Sequence, residues 1–273
     1  MILLRKEYSS CVLEVEDTGV ATLTLTDVQR MNAFNEENLR NILAATILLR
    51  QTPEAQVLIL TGTDYVFSSG GDISLLADMD SVAKAQWTFE ASCDAVNLIY
   101  DLEIPVIAAV NGIVAGAALS MMMACDLIIG SENAVLFFAF RQIGFTSDSG
   151  TSYFLVRRLG YHKAAEILFF GRKVDAKQAE ELGLFNRLVP AGELLGEARK
   201  WAERIASGPM LAMAYDKKLL RAALRNDFYQ QQELESQYQI LTWASQDFQE
   251  GVAAFNERRK PQFKDKFVKE YRG

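Results

Sequence analysis

The chain has 273 residues, half of them hydrophobic and 23% charged, which is enough apolar material for one or two globular domains with a sizeable core. A formal net charge of −7 argues against general binding to nucleic acid or acidic membranes, while leaving room for an anionic small ligand held by local basic groups. The cysteines Cys11, Cys93 and Cys125 are scattered without a C-x-x-C pair, and the lone His162 rules out a His-rich metal site, so no metal is expected.

The opening M-I-L-L-R-K-E-Y has too short an apolar run before its charges for a secretory signal, so a cytoplasmic protein is expected. Residues 10–16 and 20–26 alternate around a turn with Asp17 and Gly19, predicting two strands. Asn35, Glu36 and Glu37 mark a helix start, and that helix should run to about Arg50 with Leu39, Ile42, Leu43, Ile47 and Leu48 inward. Pro53 breaks it, and V-L-I-L-T-G at 57–62 reads as a buried strand. In V-F-S-S-G-G-D-I two adjacent glycines allow backbone geometry closed to side chains and a close approach to a ligand, although many plain turns look the same. Residues 81–102 have helical periodicity through Val82, Trp87, Phe89, Val96 and Ile99, and the aromatics among them are expected in the core.

From Ile104 through Cys125 there is no charge, long enough to raise a membrane-spanning helix. Pro105 and Asn111-Gly112 punctuate the run and Asp126 closes it. It therefore parses as a buried strand over 106–110, a glycine turn, a helix beginning near Ala115 or Gly116, and a second buried strand over 127–129. The first turn of such a helix exposes N–H groups without partners of their own, and the small Gly116, Ala117 and Ala118 would let an anion or oxyanion reach them. An ordinary tight strand-to-helix packing would read the same way. Residues 135–138 suggest a strand and 144–150 a polar loop, where Asp148, from spacing alone, is placed to cap the next helix. Beyond Gly160 the pattern is mainly helical, with a short strand in F-N-R-L-V-P. From Glu193 onward only helices are expected, one opening at Pro209 and the last near Asp247. His162 reads as a surface residue, and the absence of G-x-S-x-G and G-x-G-x-x-G motifs speaks against a serine triad and a nicotinamide fold.

Taken in order, R-M-N-A-F at 30–34, V-L-I-L-T-G at 57–62, V-F-S-S-G-G-D-I at 66–73 and I-P-V-I-A-A-V-N-G-I-V-A-G-A-A-L-S at 104–120 resemble the crotonase superfamily of enoyl-CoA hydratases and isomerases. The likeness continues through A-C-D-L-I-I at 124–129, D-A-K-Q-A-E-E-L-G-L at 175–184 and E-G-V-A-A-F-N-E-R-R-K-P-Q-F at 250–263, so it covers nearly the whole chain. It implies an α/β fold, a ClpP-like spiral of β-β-α units over 1–192 for acyl-CoA binding and catalysis, and a helical oligomerisation region over 193–273 that builds trimers or hexamers. It further implies an acyl-CoA thioester substrate, with coenzyme A as part of the substrate and no separate cofactor. The backbone N–H groups of Gly71 and Ala117 would form the oxyanion hole. Coenzyme A would lie along Arg30, Met31 and Ala33 and along Ser69, Gly70, Asp72 and Ile73, with Gly116 also among the substrate-binding residues.

The family's hydratases orient a water with two glutamates, and the corresponding positions here are Ser120 and the neighbourhood of Phe140, neither ionisable near neutral pH. Ser120 is expected to be a packed helix residue and not a nucleophile. The segment F-R-Q-I-G-F-T-S-D-S-G-T-S-Y-F resembles instead a branch of isomerases, including enoyl-CoA Δ-isomerases and a ring-epoxide isomerase, whose single acid stands at the position of Asp148. Ser147 and Thr151 depart from that pattern, where a proline and a glycine are commoner. An isomerase with Asp148 as the base is therefore expected. A hydratase, a mixed enzyme and a non-catalytic acyl-CoA-binding subunit are the alternatives. Trp87, Phe89, Phe138 and Phe140 suit an acyl pocket and the core equally well.

Overall fold

The computed structural model of the chain describes residues 1–77 and 80–265. It begins with an antiparallel meander, β1 (Ile2–Glu7), β2 (Cys11–Glu16) and β3 (Val20–Leu25), and then winds as a spiral. Each turn of the spiral supplies a strand to each of two sheets: β4 (Val57–Thr61) with β5 (Val66–Ser68), β6 (Val106–Val110) with β7 (Ile113–Ala115), and β8 (Leu127–Ser131) with β9 (Val135–Phe137). Strands β10 (Lys173–Asp175) and β11 (Arg187–Val189) complete them. The large sheet is ordered β1-β2-β3-β4-β6-β8-β11 and the small one β10-β9-β7-β5. From β3 across to β11 every pairing in the large sheet is parallel, and β4 and β6 are buried at every residue. That is why these strands are unbroken apolar runs while β2 alternates: parallel strands are covered on both faces.

Between the strands lie α1 (Glu36–Arg50), α2 (Ile73–Ala77), α3 (Val82–Tyr100) and α4 (Ala117–Ala124). Asn35 caps α1 by accepting the Asn38 N–H at 2.9 Å, and Ser81 caps α3 in the same way from Lys84. All eight residues of α4 are buried, as its uncharged A-A-L-S-M-M-M-A requires, and it packs between α3 and the small sheet. Asp126 ends this segment by accepting the Val106 N–H at 2.8 Å and pairing with the buried Lys217 at 2.6 Å. Among the described residues no helix is long and apolar enough to span a membrane.

The later helices are α5 (Thr151–Leu159), α6 (Tyr161–Phe170), α7 (Ala176–Glu181), α8 (Leu194–Ala206), α9 (Met210–Ala223), α10 (Phe228–Trp243) and α11 (Gln246–Glu257). Helix α8 closes the outer face of the large sheet, packing Leu194, Ala198 and Ala202 on Val57, Ile59, Ile107 and Ile129. The mixed α/β architecture and its helical C-terminal region follow the expected order.

Four expectations change. Strands β1, β5, β7 and β10 are not among the expected strands. In α1 the buried line runs Leu39, Ile42, Ala45 and Leu49, leaving Ile47 outside at 47% exposure. In α3, Val82 and Trp87 are turned outward, because the helix buries Ala91, Ala95, Val96 and Ile99 instead. Asp148 does not cap α5: Gly150 holds the N-cap position and no side chain bonds to the first turn there.

Candidate active site

Two glycine segments from different turns of the spiral run against each other above the small sheet. Gly70 has φ +76°, and a Cβ on it would stand 2.3 Å from the Ala115 carbonyl oxygen and 2.9 Å from the Ala117 nitrogen. Gly116 has φ +52°, and its Cβ would stand 3.9 Å from the Gly71 nitrogen. At Gly70 both the close approach and the dihedral angle require glycine, while at Gly116 it is the positive φ alone that favours it. The Phe34 N–H donates to the Gly70 carbonyl at 2.7 Å and the Ser69 N–H to the Met31 carbonyl at 2.9 Å, which locks residues 31–34 alongside 69–71. Ala117 is the first residue of α4, so its N–H points out of the helix without a partner in it. Neither it nor the Gly71 N–H has an acceptor among the described residues.

Gly71, Ala117 and Asp148 all line one mostly apolar cavity of about 180 Å³. Asp148 stands on the loop before α5, half-buried, with Oδ1 enclosed and without a hydrogen-bond partner. Burial pushes its carboxyl up to about 6, against a smaller downward pull from the Ser149 hydrogen bond and the loop's own backbone. No charged neighbour contributes to that shift. A carboxyl set by desolvation to titrate near neutrality can take and return a proton under ordinary conditions.

Of the residues singled out in the sequence, Ser69, Gly71, Asp72, Ile73, Gly116, Ala117 and Asp148 meet at this cavity. Gly70 lies directly behind it. Arg30, Met31 and Ala33 do not line it: Arg30 is exposed in a short turn, 3.8 Å from Glu37, while Met31 joins the Ser69 strand end through its carbonyl. Asp72 holds the Ser74 N–H at 3.0 Å at the start of α2. Ser120 is fully buried and hydrogen-bonded, not presented to the cavity as a nucleophile. Burial likewise pushes the thiols of Cys11 and Cys125 up to about 12, which keeps both protonated. His162 is exposed at the start of α6, and among the described residues no cluster of potential ligands could hold a metal.

The walls were only half legible. Phe89 and Phe140 are cavity residues, whereas Phe138 is core and Trp87 lies 42% exposed off the cavity. The missed aromatics are Phe34, Phe137 and Phe145, with Phe145 packed on Phe89 at a centroid distance of 5.5 Å. Strand alternation marks the difference between Phe137 and Phe138: Leu136 and Phe138 are buried in the core, so Phe137 faces the other way. On α3, Thr88, Phe89 and Ser92 share the cavity face at the three-to-four-residue spacing of a helix.

A helix-start N–H, a second N–H from a glycine loop and a buried acid around one apolar cavity compose a site of the kind that enzymes use on polarised carbonyls. The chain belongs to the enoyl-CoA hydratase/isomerase family, whose model matches residues 15–266. It is 34% identical over 260 residues to a protein of Rhodobacter capsulatus described as a probable enoyl-CoA hydratase, covering 94% of this chain and 98% of that one. It is 30% identical over 259 residues to the 1,2-epoxyphenylacetyl-CoA isomerase of Escherichia coli, covering 93% and 98%. Among solved structures, that of enoyl-CoA hydratase subunit I from Geobacillus kaustophilus superposes with a TM-score of 0.89 at 30% identity, covering 95% of this chain and 99% of that chain.

Proposed function

We propose that this chain is an acyl-CoA isomerase that moves a double bond by a one-base proton shuttle. The observation that carries the reading is the acid inventory of the cavity: the positions of the hydratase glutamates fall at Ser120 and near Phe140, and of the two acids lining the cavity Asp72 is bonded to the Ser74 N–H while Asp148 offers a buried carboxylate oxygen with no partner. Asp148 removes a proton from the carbon next to the thioester carbonyl, and the freed electron pair moves into the C–C–O system to give a dienolate. The negative charge gathers on the thioester oxygen, which the N–H groups of Gly71 and Ala117 hold; in other enzymes one such donor is worth on the order of 10²–10³ in rate. Asp148 then returns the same proton to the carbon two positions farther along, and the double bond has shifted with no net change in atoms. The pantetheine and nucleotide of coenzyme A lie along 30–33 and 69–73, and the acyl group enters between Phe89, Phe137, Phe140 and Phe145. Helix α10 has no buried residue and exposes Phe228, Tyr229, Ile240 and Trp243, a face suited to a homotrimeric or hexameric assembly.

The test is a panel of 3-enoyl-CoA and 2-enoyl-CoA esters graded by chain length, assayed with the wild type and Asp148→Asn. The variant should bind the esters as before and lose roughly 10²–10⁴ of isomerase turnover. Unchanged turnover would sink the assignment. A hydratase reading draws on the Rhodobacter capsulatus relative's description, and hydration of crotonyl-CoA at a rate comparable to isomerisation would favour it. Binding across the panel with no turnover at all would favour a non-catalytic subunit.

A further inference from the structure

We propose that Ser120 and Thr151 are positioning residues for Asp148: the Ser120 hydroxyl, itself held by the Thr151 hydroxyl, pins the Asp148 main-chain carbonyl to α4 and so fixes the base relative to the Ala117 N–H on the same helix. The inference rests on Asp148 as the base and adds how the base is held.

Both side chains are completely buried. The Ser120 hydroxyl donates to the Asp148 carbonyl at 3.2 Å and lies 2.6 Å from the Thr151 hydroxyl, and the Thr151 N–H reaches the same carbonyl at 2.8 Å. With the Ser120 proton on Asp148, the Thr151 hydroxyl donates to Ser120, and every proton of the cluster is used. Ser120 follows Ala117 by one helical turn, so a single rigid helix carries an oxyanion donor at its start and the tether of the base behind it.

The loop has few other ties. Thr146 and Ser147 make no backbone hydrogen bond among the described residues. Among the described residues the carboxylate is bonded only within its own loop, to Ser149 and the backbone, so none outside the loop grips it directly. Ser149 takes a left-handed conformation at φ +48° and meets Ser92 of α3 at 3.1 Å between hydroxyl oxygens. Asp148 is thus held through its main chain, from α4 on one side and, through Ser149, from α3 on the other. The site where a hydratase carries a carboxylate here carries the hydroxyl that anchors the remaining acid.

The experiment compares Ser120→Ala, Thr151→Val and Thr151→Ser with wild type on the ester that the panel shows to be turned over best, alongside Asp148→Asn. Displacement of the base by a fraction of an ångström predicts that Ser120→Ala and Thr151→Val each lower kcat about tenfold or more, with KM within about twofold. Thr151→Ser restores the hydroxyl and should keep kcat within about twofold of wild type. Because the two hydroxyls act as a unit, Ser120→Ala with Thr151→Val should cost little more than either alone. Thr151→Val preserves side-chain shape and carries the test if Ser120→Ala does not fold. Wild-type kcat in folded Ser120→Ala or Thr151→Val, or a Thr151→Ser as slow as Thr151→Val, overturns the tether. An Asp148→Asn enzyme that keeps its turnover overturns the base assignment instead, so the two failures are told apart.

Discussion

The two halves of the cavity are built on opposite physical terms. Residues 104–129 supply the Ala117 donor from a strand, a turn and a helix; the strand 106–110 and the helix 117–124 are buried at every residue, and their backbone bonds are those of regular structure. Residues 144–150 supply Asp148 from a loop whose residues are mostly exposed and whose side-chain hydrogen bonds to the rest of the protein run through the hydroxyls of Ser92, Ser120, Ser149 and Thr151. A backbone donor tolerates no movement and is made from rigid secondary structure. On the proposed reading the base must serve two carbons, and Asp148 is mounted on a segment with a few defined tethers. The difference teaches where each half fails: the first by collapse, the second by misplacement.

The largest effect is expected on the rigid half. In Gly70→Ala the new methyl would meet the Ala115 carbonyl at 2.3 Å, in a backbone conformation that side chains rarely adopt. Neither segment can retreat, because both are strand ends within a packed core. A loss of roughly 3 kcal/mol or more is expected, read as a lowered urea midpoint, with turnover falling to background as Gly71 is displaced. A Gly70→Ala protein with the stability and rate of wild type would show that the close approach is not needed.

The adaptable half should respond with opposite signs in activity and stability. Its carboxyl is raised above the unfolded value to about 6, so the folded protein binds a proton that the unfolded chain has already released. Asp148 therefore costs no stability below about pH 4 and progressively more as the pH rises through about 6, approaching on the order of 2–3 kcal/mol above that. Asp148→Asn should melt several degrees higher than wild type at pH 8 and at the same temperature near pH 4. Equal melting temperatures at both values would mean that the carboxylate is solvated and its desolvation small. This is the trade expected where activity demands a destabilised charge.

The same contrast decided what the sequence could disclose. Strands β4, β6 and β8 and helix α4 were legible because burial on all sides leaves an unbroken apolar signature. The glycines and Asp148 were legible as chemistry in need of a place. Periodicity alone could not choose the face: Ile47 and Trp87 fit a helical stripe as well as Leu49 and Ala91, and the choice was made by what α1 and α3 happen to pack against. Strand β7 was hidden because three residues next to a glycine turn carry no period of their own. Ser92, Ser120 and Thr151 are small polar residues that any helix could contain, and only the fold shows that they converge on one loop.

The smallest effect concerns His162, and it separates the two sources that a pH-dependent rate could have. If Asp148 is the base, kcat/KM must rise with pH through about 6, because the carboxyl works only when deprotonated. A kinetic limb in that region is ordinarily assigned to a histidine, whose unperturbed pKa is about 6.5. This chain has one histidine, exposed at the start of α6 and packed edge-on to Tyr161 at a centroid distance of 5.7 Å, with no place among the cavity residues. His162→Gln should therefore leave kcat/KM within about twofold of wild type at pH 7 and the acidic limb within about 0.2 pH units. A limb that vanished in His162→Gln would move the proton transfer out of the loop and dissolve the contrast between the two halves. A limb that stays leaves the desolvated carboxylate as its source.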